Sequence, residues 1–143
     1  MISIIVLDSG LLGKIVHPRR YPEVEAWIEH VLASGINVIL PEIVDYELRR
    51  ELLHRELTHS VERLNQLKNA FTYLPLNTAV MLKAAELWAN ARKRGRSTAD
   101  PKALDGDVIL AAQAIQVGSV VVTENIRHLS LFVETKRWQD IIP

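Results

Sequence analysis

The chain has 143 residues, 48% of them hydrophobic, which fits one domain over 1–143 with a sizeable core and argues against disorder. It contains no Cys, so disulfides and thiolate metal sites are excluded, and any bound metal must use oxygen or imidazole ligands. Lys and Arg number 17 against 17 Asp and Glu, so no global field draws the protein to nucleic acid or membrane, and a polyanion-binding role needs a local basic patch.

The opening MISIIVLDSG lacks the basic start of a signal peptide, and Asp8 interrupts its apolar run too early. No apolar stretch approaches the length of a membrane span, so the expectation is a soluble, cytoplasmic protein. Ser3–Leu7 reads as a strand, and SGLLGK after it as a possible helix start capped by Asp8. Val24, Trp27, Ile28, Val31 and Leu32 repeat at helical spacing between Pro22, suited to a first turn, and the stop at Gly35. Asn37–Leu40 is a second strand. A helix from near Pro41 runs through EIVDYELRRELLHREL, and another follows Ser60 with Val61, Leu64, Leu67 and Phe71. Thr72–Leu76 is a third strand. Met81, Ala84, Ala85 and Trp88 mark a helix after Asn77 that stops at Gly95. GRSTADPKA reads as a mobile loop. ALDGDVILAAQA is a further helix ended by Gly118, Ser119–Thr123 is a fourth strand, and RWQDII a short edge strand. The main strands are continuously apolar, which suits burial on both faces. Strands alternating with helices predict a single-domain, three-layer α/β/α fold around a central, mostly parallel sheet.

In such sheets ligands gather beyond the carboxyl ends of the strands. Asp8 ends the first strand, Glu47 lies early in the helix after the second, Asp107 opens the helix feeding the fourth, and Asn125 follows that strand by two residues. All four are expected at one edge. Capping explains Asp8, Asp105 and Asp107 taken singly, since acids suit helix starts. Glu47 resists that reading. It falls beside the apolar side of its helix, near Ile43 and Val44, with Glu51 one turn on, whereas Glu42 and Asp45 read as solvated charges. A glutamate near a buried face needs a partner. Arg49 and Arg50 are read as lying at unfavourable offsets, which leaves a cation shared with Asp8 and Asp107. A hard divalent ion accepts such oxygen ligands, and can activate water and brace charge on a phosphate. The cluster therefore points to phosphodiester chemistry rather than acyl transfer, for which no GxSxG or Cys–His arrangement exists.

His54 and His59 read as exposed helix residues, since HRELTH is not the HExxH zinc pattern. His17 and His128 are candidate phosphate contacts. The run ARKRGR suits a helix C-terminus, with Arg94 and Arg96 also candidates to bind phosphates, and HPRRYP offers Arg19 and Arg20 as a second group. The Trp residues fall on apolar helix faces or near the terminus and suggest no base-stacking platform.

Taken together, IIVLDSG, LPEIVDYELRRE, ANARKRGR and DVILAAQAIQVGSVVVTENIRHL resemble the PIN-domain family, and most closely its VapC-type toxin ribonucleases, over nearly the whole chain. The resemblance implies a Mg²⁺- or Mn²⁺-dependent endoribonuclease in which Asp8, Glu47 and Asp107 are the catalytic, metal-binding acids. It implies support from Ser9 and Thr123. The family often has a fourth acid where this chain has Asn125, which binds a metal only through a neutral oxygen and weakens a second metal site. Asp105 and Glu51 are possible substitutes. The resemblance further implies a cognate antitoxin and a homodimer.

A second reading is a catalytically weak PIN domain serving as a protein- or RNA-binding regulatory module, consistent with the zero net charge and Asn125. A receiver-like phosphoacceptor domain also places an Asp at a strand end. It needs an acid pair there and a Lys after the last strand, and neither is present.

Overall fold

The computed structural model describes residues 2–95 and 101–143, with side chains from Leu104 onward in the second stretch. Its sheet has five strands, all parallel: β1 (Ile4–Leu7), β2 (Asn37–Pro41), β3 (Thr72–Leu74), β4 (Val120–Thr123) and β5 (Thr135–Arg137), in the spatial order β3-β2-β1-β4-β5. Consecutive residues of β1, β2 and β4 are buried, Ile5, Val6 and Leu7 completely, although successive side chains point to opposite faces. Both faces are therefore covered, as the unbroken apolar runs require.

The helices are α1 (Ser9–Val16), α2 (Pro22–Ala33), α3 (Glu42–His54), α4 (Thr58–Ala70), α5 (Thr78–Lys93) and α6 (Pro101–Gln116). The main core joins the sheet to α1–α4, and a second cluster, with Val80, Ala84, Leu104, Val108 and Ala112, binds α5 to α6. Among the described residues, no helix is long and apolar enough to cross a membrane.

Strand ends shift by one or two residues from the sequence expectation, and four further boundaries differ for a structural reason. The helix predicted through Leu57 ends at His54, because Glu56 turns left-handed (φ 57°) while Leu57 N–H donates to Leu52 C=O (3.0 Å) and Glu56 N–H to Leu53 C=O (3.1 Å). This is a Schellman stop built without glycine, so composition does not announce it. The next helix starts at Thr58, before Ser60, whose hydroxyl instead donates to Val16 C=O (2.6 Å) at the end of α1. Of GRSTADPKA, residues 96–100 lie outside the described residues, and Pro101–Ala103 already belong to α6. Finally, the edge strand is Thr135–Arg137 rather than RWQDII, half of which forms a 3-10 turn at Trp138–Asp140. Polar TKR carries no apolar signal, and Trp138 instead packs on Trp27 (centroids 5.7 Å apart), whose indole N–H donates to Ile141 C=O (3.0 Å).

Candidate active site

The chain leaves β1 for β2 and β3 on one side, then returns to place β4 on the other, so the winding reverses between β1 and β4. Beyond the carboxyl ends of such a pair the outgoing segments diverge and leave a crevice. Asp8 lies directly after β1, and Thr123 closes β4 beside it, because Leu7 pairs with Val122. The carboxylate of Asp8 has two donors. Leu11 N–H (2.9 Å) reaches Oδ1, making Asp8 the N-cap of α1, and the buried Thr123 hydroxyl donates to Oδ2. The capping interpretation and the pocket interpretation of Asp8 thus describe one geometry. Burial pushes this carboxyl above its usual range, against the pull of its two donors, and the charge of Glu124 adds to the rise.

Glu47 arrives from the second turn of α3, which starts at the end of β2 without an intervening loop. Asp107 arrives from the second turn of α6. Burial raises both carboxyls. The charges of Asp107 and Asp8 also raise Glu47, and that of Asp8 raises Asp107, so acids from distant elements share one field. Opposing this, Arg50 lowers Glu47 and His128 lowers Asp107. The effect of Arg50 corrects the sequence reading of its offset, since side chains three apart are neighbours on a helix. Among the described residues no group of three His, Asp or Glu is preset to hold a metal ion. The donor set itself is carboxylate oxygen around mutually repelling charge, which suits a hard dication.

The remaining predicted residues divide. Ser9 opens α1 next to Asp8 and is half-buried. Asp105 is exposed and lines a groove between α5 and α6 with Met81, Trp88 and Ile109, so it neither caps α6, which begins at Pro101, nor joins the acids. Glu51 is exposed and is not among the charges acting on Glu47. Asn125 Oδ1 accepts Arg127 N–H (3.0 Å), turning its own loop. Arg20 pairs with Glu25 (3.0 Å), and both it and exposed Arg19 lie past the far end of α1, which extends roughly 12 Å from Asp8. Arg94 caps the end of α5 and lines a small pocket with Leu131 and Phe132; Arg96 lies outside the described residues.

The sequence reading also misplaced two acids and missed one neighbour of the site, Glu124. Asp45 is buried and paired with Arg49 (2.9 Å), and Glu42 accepts Leu76 N–H (2.7 Å). Their i,i+4 and strand-end partners were invisible to a helical wheel. Glu124, adjacent to Asn125, bears on Asp8 while paired with Lys14 (2.7 Å) and bonded to Trp138 Nε1 (3.3 Å). His128, a candidate phosphate contact by sequence, acts on Asp107, and its Nδ1 is buried with no hydrogen-bond partner among the described residues.

Fold and site together define a doubly wound, all-parallel α/β protein with an acidic crevice at its switch point. A family model, the PIN domain, matches residues 5–131, and the chain belongs to that family. No curated protein matches it by sequence. Solved structures share the fold, among them the following three. A chain in the crystal structure of FitAcB from Neisseria gonorrhoeae is 23% identical with TM-score 0.75, covering 96% of this chain and 99% of that one. A chain of VapBC2 from Rickettsia felis, bound to a DNA fragment from their promoter, is 14% identical with TM-score 0.78, covering 94% and 98%. A chain of VapBC-1 from nontypeable Haemophilus influenzae is 18% identical with TM-score 0.72, covering 96% and 99%.

Proposed function

We propose that this PIN-domain chain is a Mg²⁺- or Mn²⁺-dependent endoribonuclease and the toxin of a toxin–antitoxin pair. The observation that supports the reading is that Asp8, Glu47 and Asp107, contributed by β1–α1, α3 and α6, act on one another's charge near the switch point. These acids would hold the ion. When bound, it would supply charge neutralisation and water activation for attack on a phosphodiester. Thr123 and the amide of Leu11 orient Asp8, and a carboxylate lifted by burial, as Glu47 is, suits proton acceptance from the attacking water. Arg94 and Arg96 are the cations proposed to contact the RNA backbone. Structured RNA incubated with Mn²⁺ should be cut by the wild type and at least about 100-fold more slowly by Asp107→Asn. Equal cleavage by the two would overturn the assignment.

The likeness to chains of VapBC and FitAcB supports the antitoxin partner. A homodimer is supported by exposed Tyr46 and Leu53 on α3 and Met81 and Leu82 on α5. A second reading, a catalytically weak binding module, draws on Asn125, whose side-chain oxygen is engaged by Arg127, and on the lack of a preset metal group among the described residues. Calorimetric titration with millimolar Mn²⁺ separates the two readings: heat of binding favours the nuclease, and none favours the module.

A further inference from the structure

Gly106 lies between the two acids of α6, is buried, and faces Glu47 where α3 packs on α6. A Cβ built on it would stand 3.0 Å from Glu47 Cδ, 3.3 Å from Oε1, and in outright overlap with Oε2. The carboxylate of Glu47 therefore occupies the volume that any other residue at 106 would fill. Neither chain conformation nor a turn asks for glycine here. Gly106 sits inside a helix, where glycine is the least favoured residue after proline, and its φ is not positive. The close approach of a neighbouring carboxylate explains it instead.

We infer that Gly106 is a positioning residue, whose missing side chain seats the Glu47 carboxylate beside Asp107. The inference deepens the nuclease proposal and rests on the reading of Glu47 as an ion-binding acid. It also assigns a use to the bare position in DGD: the gap between the two acids admits a third from another helix. Because the overlapped atoms are the end of a flexible side chain, an added methyl should swing Glu47 aside rather than part the helices.

The test uses the full chain as wild type, Gly106→Ala, Glu47→Gln and the double variant. Gly106→Ala should melt no lower than wild type, since alanine favours a helix. A crystal structure of metal-free Gly106→Ala should show the Glu47 carboxylate displaced by on the order of 1 Å or more, the shift needed to restore normal contact distances. Mn²⁺ affinity, by calorimetry, should fall about 10- to 100-fold in the wild-type background. In the Glu47→Gln background the same substitution should change it by less than about twofold, because its effect runs through that carboxylate. An unmoved Glu47, a lowered melting point, or an undiminished fall in the Glu47→Gln background would each overturn the inference. If the wild type itself binds no Mn²⁺, the ion-binding reading fails, and the position of Glu47 in the variant crystal still decides whether Gly106 seats it.

Discussion

At the scale of single residues, the site depends on buried polar atoms whose partners come from far along the chain. Thr123 joins the end of β4 to Asp8 at the end of β1, and its oxygen also accepts Asn125 N–H (3.1 Å), so one hydroxyl ties strand, loop and acid together. Thr123→Val keeps the shape and removes the bond. One oxygen of a largely buried carboxylate then loses its donor, which should cost about 1–3 kcal/mol at pH 7 by urea denaturation. The same bond holds the Asp8 carboxyl down against desolvation, so its loss should move that group further up. The deficit should therefore shrink in acid, where Asp8 is protonated and its desolvation no longer matters. The sequence flags Asp8 and Thr123 individually. It does not say that they touch, because that depends on β1 and β4 lying side by side although more than a hundred residues separate them.

At the scale of elements, the helices are held at the site by polar brackets as well as by apolar packing. Gln113 sits fully buried in the apolar run of α6. Its side-chain oxygen accepts Ile43 N–H (3.2 Å) at the start of α3, and its nitrogen donates to Leu74 C=O (2.8 Å) at the end of β3. A helix N-terminus has unpaired amides, and here another helix satisfies one. Gln113→Leu would preserve volume and strand both backbone groups. It should lower stability by about 2 kcal/mol or more in urea denaturation and weaken Mn²⁺ binding, since α3 carries Glu47 and α6 carries Asp107. The opposite end of α1 shows the same device: Arg63 of α4 donates to Ile15 C=O (2.5 Å) and His17 C=O (3.0 Å), beside the Ser60 bond to Val16. Element types and order were legible because apolar periodicity is local. Boundaries such as the glycine-free stop at Glu56 and the polar strand β5 were not, because hydrogen bonds to other segments decide them.

For the whole molecule, the acidic crevice is a source of instability that an ion should relieve. Asp8, Glu47 and Asp107 all have folded pKa values raised above their ordinary ones, chiefly by burial. The folded chain therefore binds their protons more tightly than the unfolded chain. Stability linked to these groups is present at pH values below the ordinary carboxylate range and is lost as pH rises through the folded values. Metal-free Asp107→Asn should accordingly melt at or above wild type at pH 7, and the difference should close on acidification. Mn²⁺ should reverse the order by stabilising wild type, by about 2.7 kcal/mol at a hundred times its dissociation constant, and the variant much less. Thermal melts with chelator and with Mn²⁺, at two pH values, check both halves.

The amino-acid sequence by itself determined the class of fold, the order of its elements and which acids stand near strand ends, since each follows from local spacing and from the need to bury continuous apolar runs. It was also sufficient for the resemblance to the PIN domain, which the family match over residues 5–131 bears out. Only the tertiary structure decided which of those acids meet. Asp105, Glu51 and Asn125 were supporting candidates by position, yet helix rotation and a local turn direct them elsewhere, while Glu124 and Gly106 enter through contacts no window of sequence contains. The physical reason is range: backbone preference and amphipathicity act over a few residues, whereas the field at a carboxylate is set by whatever the folded sheet brings beside it.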